Sequence, residues 1–458
     1  MTSLPAQPQP APPPGSSVLA GPVRAEIEDL LQPVDEHLAR AYPGARPARQ
    51  PVHTVYVPAD RYQAGLAHEW GRQAVQMLEG AGGMTALLEC AEVPVHLHEA
   101  IAQKVHAKLT TEPIEDLRID FEDGYGDRGA AEDDDVAAAA QQLRTELDAG
   151  RATPFVGIRM KSLEASTRER GLRTLEAFLT SLAGSGPLPE GLCLTLPKVS
   201  APAQVEAMSK VCAALEQALG LPAGRLRFEV QIETPQAILG ADGVATVARM
   251  VHAGAGRVSA LHYGTYDYSA SLGVAGAYQS MDHRSADHAK SVMQLAVAGT
   301  GVWLSDGSSN MLPVGSPEQV RTAWARHAGL VGRSLESGFY QGWDLHPGQL
   351  LTRFAATYAF YRRDAEDAVR RLGAYLAREQ GTEGHGGVLD EGAVLDEVLD
   401  ERAALDEGAL LDQEAVLDEP ATARALAWFL LRGLDCGALD DADLAGLERT
   451  ELLGLAGR

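Results

Sequence analysis

The chain has 458 residues, enough for one large core or two ordinary ones. Its net charge of −24 excludes a nucleic-acid or acidic-membrane surface as partner, since both demand clustered Lys and Arg. No apolar run approaches the roughly 20 residues that span a bilayer, and Cys90, Cys193, Cys212 and Cys436 lack the C-x-x-C spacing of a zinc site.

The opening MTSLPAQPQPAPPPGSS has no basic stretch followed by an apolar one, so it reads as a Pro-rich disordered tail on a cytoplasmic protein. Residues 1–50 are taken as that tail and its lead-in. From His53 to Pro347 short β-branched runs alternate with longer amphipathic stretches, the pattern of βα units around a parallel sheet, and residues 51–375 are taken as that domain. The strands are expected at HTVYVP (His53), DLRIDFE (Asp116), PFVGIRM (Pro154), GLCLTLPKV (Gly191), RFEVQIE (Arg227), VSALHY (Val258), VWLS (Val302) and GWDL (Gly342). Helices are expected over Ser166–Leu182, Ala203–Leu219 and Ser285–Ala298, with Pro235 opening another. Eight such units close into a (β/α)8 TIM barrel, an α/β fold, here with a helical C-terminal extension. Neither a G-x-G-x-x-G nor a G-x-x-x-x-G-K-[ST] loop follows any strand, which disfavours a doubly wound sheet.

Two segments depart from an ideal barrel. The stretch from Ala81 to Glu115 inserts a helix or two before the second strand. Near the C-terminus LDE recurs at Leu389, Leu395, Leu399, Leu405 and Leu417, at a spacing that matches neither the helical nor the strand period. Asp390 to Glu419 holds twelve acidic residues against the lone Arg402, so residues 376–415 read as an acidic low-complexity linker and 416–458 as a C-terminal helical segment.

Barrel active sites are assembled at the C-terminal ends of the strands. The polar endings then form one ring: Asp120, Glu122 and Asp123 after the second strand, Arg159 on the third, Lys198 on the fourth, Glu233 on the fifth, Asp267 after the sixth, Asp306 on the seventh, and Asp344 with His346 on the eighth. Two carboxylates on neighbouring strand ends, Glu233 and Asp267, are the minimum protein contribution to a Mg²⁺ (or Mn²⁺) site that keeps open positions for substrate. Such an ion can polarise the carbonyl of a 2-oxo acid and stabilise the enolate left when a C–C bond breaks. Arg159 would neutralise the substrate carboxylate or the enolate oxygen. The alternative is that these acids simply bond lysines and amides in the barrel mouth. Lys198 could touch a phosphate or carboxylate, or pair with Asp267 or Glu233. His262 reads as a buried, hydrogen-bonded side chain, and His283 and His288, five apart, as helix surface.

The pieces YVPADR, IDFEDG, GIRM, LPKV, IETPQAILG, GTYDYSASLG and LHPGQ, in this order between Tyr56 and Gln349, resemble the citrate lyase β-subunit family of the HpcH/HpaI aldolase superfamily. The resemblance implies that Glu233 and Asp267 bind Mg²⁺, that Arg159 contacts substrate, and that Lys198, Gly264 and Thr265 border it. It also implies a homo-oligomer, a trimer in that family. The class II pyruvate aldolases of the superfamily carry a His where Asp123 stands, so the second strand resembles the lyase branch, whose acids hold metal-bound waters and orient the Arg. VLDEPATARAL from Val416 resembles that branch's M-I-D-x-P segment, whose Asp reaches a neighbouring subunit's active site. Asp418 is then the implied acid or base, with Asp123 next in line.

The expected activity is a Mg²⁺-dependent carbon–carbon lyase acting on a 2-oxo or 2-hydroxy acid, or on its CoA thioester. The alternatives are a metal-dependent aldolase on free 2-oxo acids and a catalytically silent, metabolite-binding barrel. No nucleic-acid or membrane partner is expected.

Overall fold

The computed structural model describes residues 21–383 and 418–457. The Pro-rich opening and nearly all the LDE copies lie outside the described residues. Eight strands are present, each inside its expected run: β1 His53–Pro58, β2 Asp116–Asp120, β3 Phe155–Arg159, β4 Leu194–Leu196, β5 Phe228–Ile232, β6 Val258–Tyr263, β7 Trp303–Ser305 and β8 Gly342–Asp344. All pair in parallel in the order β7-β6-β5-β4-β3-β2-β1-β8. A parallel bridge between Ser305 and Gln341 joins the two ends, so the sheet closes into a (β/α)8 barrel.

The strands are buried on both faces, and their period of two sorts the side chains. Outward residues such as Val55, Leu117, Ile119, Val230 and Leu261 are at most 3 % exposed and pack beneath the helices. The inward face is largely polar. Arg118 donates to Glu229 (Nη2 to Oε2, 2.8 Å; Nε to Oε1, 3.1 Å) and pairs with Asp116. Thr195 and Tyr56 donate to Glu229 Oε1 at 2.5 and 3.1 Å. Every member of this layer has partners, as buried charges require.

The helices start where their local sequence dictates. Pro202 opens Pro202–Leu219, with Gln204 Oε1 accepting the amides of Ser200 and Ala201. Ser316 caps Pro317–Glu336 through the Gln319 amide. The inserted segment forms Gly83–Cys90 and His98–Thr111, whose Leu87, Leu88, Ile101 and Val105 are fully or almost fully buried. Within the expected lead-in, Gly21–Ala41 is a helix with no buried residue.

After β8 the chain enters Pro347–Glu383, 37 residues long. The helices Pro420–Asp435 and Arg449–Ala456 fold back on the molecule, burying Ala427, Leu430 and Leu452, with Phe429 packed edge-on to Phe360 and tilted against Tyr361. Each fully buried Leu there contributes roughly 1.5–3 kcal/mol over its exposed state. No described helix is long and apolar enough to cross a membrane.

Candidate active site

β2 and β3 end side by side, Asp120 paired in register with Arg159. Arg159 Nε and Nη2 donate to the two Asp120 oxygens at 2.6 and 2.7 Å, a bidentate pair. Asp120 also accepts the amides of Glu122 (2.9 Å) and Gly124 (3.0 Å), which turns the chain sharply after β2. One edge of the Arg159 fork is therefore occupied. Its Nη1 stands 3.4 Å from Glu122 and 3.5 Å from Gln231, and the guanidinium lies over the Tyr56 ring at 4.8 Å. What remains for a substrate is the end of the fork.

Lys198 follows β4 with a left-handed backbone (φ 51°), a conformation that costs a non-glycine residue about 1 kcal/mol or more. The turn has two results. Its amide donates to Glu233 Oε1 at 2.6 Å, and its Nζ reaches Asp123 (2.7 Å), Glu122 (2.9 Å) and Asp267 (3.6 Å). A single ammonium thus ties the endings of β2, β4 and β6 together.

Glu233 is 2 % exposed, and burial pushes its carboxyl up to about 7, against the opposing charges of Lys198 and Arg159. Burial likewise raises Glu122. For Asp123, burial pushes upward but the Lys198 hydrogen bond and charge prevail, so its carboxyl is lowered. Gly264, at the end of β6, leaves room for Glu233: a Cβ there would lie 2.5 Å from Glu233 Cβ and 2.8 Å from Oε2. Its φ of −97° makes no demand for glycine, so close approach is the reason. Thr265 is buried beside it, and its hydroxyl has no hydrogen-bond partner.

Glu233 and Asp267 thus stand at one mouth, bridged by Lys198 and with half of the Asp267 side chain open to solvent. This donor set fits Mg²⁺ or Mn²⁺, which bind through one or two carboxylates and fill the remaining positions with water and substrate. Among the described residues no group of three or more His, Cys, Asp or Glu side chains is arranged to hold a metal.

Three residues of the expected set lie elsewhere. Asp344 pairs in register with Val55 and, like it, faces outward, where Arg353, His327 and His53 hold it. Asp306 likewise faces the helices, bound by Lys290 (2.8 Å) and Ser334 (2.7 Å). Both belong to the scaffold, because a one-residue shift along a strand reverses the face. Asp418 is bound by Arg371 (Nε to Oδ2, 3.0 Å; Nη2 to Oδ1, 2.5 Å), a hydrogen bond that lowers its carboxyl. Arg371 lies 24 residues into the helix that starts at the mouth, roughly 36 Å along its axis, so this chain does not bring Asp418 to its own ring. His346 accepts the Gly348 amide at the start of Pro347–Glu383, and His262 accepts from Trp343 Nε1 inside the barrel.

Sequence reasoning passed over Tyr56, Arg118, Glu229 and Gln231. The signal was present: Glu229, Gln231 and Glu233 alternate with apolar residues, as do Asp116, Arg118 and Asp120, which places each trio on one face.

Among solved structures, a citrate lyase from Burkholderia xenovorans LB400 superposes with a TM-score of 0.53 at 18 % identity, covering 87 % of this chain and 99 % of its own. An HpcH/HpaI aldolase/citrate lyase family protein from Burkholderia cenocepacia J2315 (TM-score 0.36, 18 % identity, 70 % and 95 % covered) and malate synthase from Haloferax volcanii (0.41, 14 %, 68 % and 76 %) are more distant. At such identity the likeness to the citrate lyase is one of fold, and it bears out the barrel type that the sequence motifs imply. No curated protein matches. The sequence model of the family described as "Domain of unknown function (DUF6986)" matches residues 31–416 and 402–458, and the chain belongs to that family.

Proposed function

We propose that the protein is a Mg²⁺-dependent carbon–carbon lyase that cleaves or forms a bond beside the carbonyl of a 2-oxo or 2-hydroxy acid, free or as its CoA thioester. The observation that carries this reading is the convergence of Arg159, Lys198, Glu233 and Asp267 on one barrel mouth, with Lys198 within 3.6 Å of three carboxylates. Glu233 and Asp267 would hold the ion, which supplies Lewis-acid polarisation of the carbonyl. Asp120 fixes the Arg159 plane, so the Nη1 end of the fork, which leans on Glu122 and Gln231, would meet the substrate carboxylate in one orientation. Gly264 and Thr265 border the same space, with the Thr265 hydroxyl buried against Gly307. Asp123, ionised through its contact with Lys198 and half exposed, is the proton acceptor closest to hand.

The test is a melting shift with Mg²⁺ plus pyruvate, oxaloacetate or acetyl-CoA, followed by turnover of whatever binds. CoA-dependent turnover supports the lyase. Turnover of a free oxo acid alone identifies an aldolase, and binding without turnover identifies a silent barrel.

A further inference from the structure

At the opposite, N-terminal end of the barrel the chain passes beneath the strands before entering β1. The Gly44 amide donates to Gly299 O (2.8 Å), and Gln50 Nε2 donates to Leu304 O (3.0 Å). This path sets Arg46 under β7, its guanidinium 3.7 Å from the centre of the Trp303 ring. Arg227, the residue before β5, reaches the same space. Both arginines, with Gly191, Cys193, Ser259 and Trp303, line a cavity of about 110 Å³. A water needs roughly 10–15 Å³ by this measure, so the cavity has room for a small polyatomic ion and its water.

The charges here are left unmatched. Among the described residues neither Arg46 nor Arg227 forms an ion pair, and the Nε of each is buried without a partner. The two acids of the barrel interior that also line the cavity, Asp116 and Glu229, are committed to Arg118. Glu190 on the wall pairs with neither arginine. Burial first, then the charge of Arg227, pushes Arg46 down to about 10, and burial lowers Arg227. The Cys193 thiol, raised to about 12 by burial, stays neutral and does not repel an anion. Two like charges beside one cavity, with buried N–H groups unsatisfied, are costly unless something occupies the space between them.

We propose that this cavity binds a small oxyanion of the phosphate type, held between the forks of Arg46 and Arg227. The planar guanidinium matches the oxygen spacing of phosphate, and stacking on Trp303 fixes Arg46 for that contact. The layer of Arg118 and Glu229 separates this site from the mouth.

The experiment measures inorganic phosphate binding to the full chain by calorimetry and by melting shift at constant ionic strength, with glycerol phosphate as a second arm. Wild type is expected to bind phosphate and melt higher. Arg227→Gln should weaken binding roughly tenfold or more, and without phosphate it should melt at or above wild type, because the repulsion is gone. Tighter binding of the monoester identifies a phosphorylated metabolite as the source, and tighter binding of phosphate identifies the free ion. Equal binding by wild type and Arg227→Gln, no binding by wild type, or a variant equally destabilised with and without phosphate overturns the proposal.

Discussion

Replacing Gly264 by Ala tests the proposed metal site through a residue that is not one of the proposed ligands. The added methyl would lie 2.5 Å from Glu233 Cβ and 2.8 Å from Oε2, against ordinary contacts of 3.4–4 Å, so Glu233 must retreat by about 1 Å. Mg²⁺ holds its oxygen ligands at roughly 2.0–2.1 Å and tolerates little distortion, so a shift of that size removes Glu233 from the ion. Overpacking costs about 1–3 kcal/mol, too little to unfold a barrel of this size. The expected result is a folded protein whose Mn²⁺ or Mg²⁺ affinity, read by paramagnetic resonance or calorimetry, falls about ten- to a hundredfold. Gly264→Ala with a circular dichroism spectrum like that of wild type and unaltered metal affinity would refute the assignment of Glu233.

Arg159→Lys keeps the charge but loses the fork that grips Asp120 and orients Nη1, so turnover should fall about a hundredfold while the fold persists; normal turnover would make Arg159 a scaffold residue. Glu216 is held down at about 2, chiefly by the hydrogen bond from Arg257, so its contribution of about 2–3 kcal/mol is present above pH 4.5 and lost as pH falls toward 2. Glu216→Gln should therefore lower the melting temperature at pH 7 but not at pH 2.5, and a deficit that persists in acid would contradict this. A catalytic role for Asp418 needs a neighbouring protomer: mixing Asp418→Asn with Glu233→Ala chains should restore activity if sites are shared, whereas full activity of Asp418→Asn alone leaves proton transfer to Asp123.

The parts of this protein legible in its sequence are those fixed locally. Strands such as HTVYVP announce themselves because β-branched runs between turn residues have few other uses, and His53–Pro58 matches that run residue for residue. Strand ends were readable for the same reason, which is why Arg159, Lys198, Glu233 and Asp267 could be grouped. Facing was harder to read. Asp306 and Asp344 also end strands, yet inward and outward differ by one residue, and only the pairing register decides between them. The Asp120–Arg159 clasp depends on neighbouring strands 39 residues apart along the chain, and the unmatched Arg46 and Arg227 come from still more distant segments. Charge balance of that kind is a property of assembled space.

The left-handed turn at Lys198 bears on how the proposed ion would be taken up. With an ammonium already among three carboxylates, an incoming divalent cation meets a competing positive charge and must release Asp267 from Lys198. Affinity is tempered by that competition, so loading should follow the surrounding Mg²⁺ concentration rather than saturate at trace levels. A chelator should then silence the protein without melting it, and dilution into Mg²⁺ should bring activity back with no refolding step.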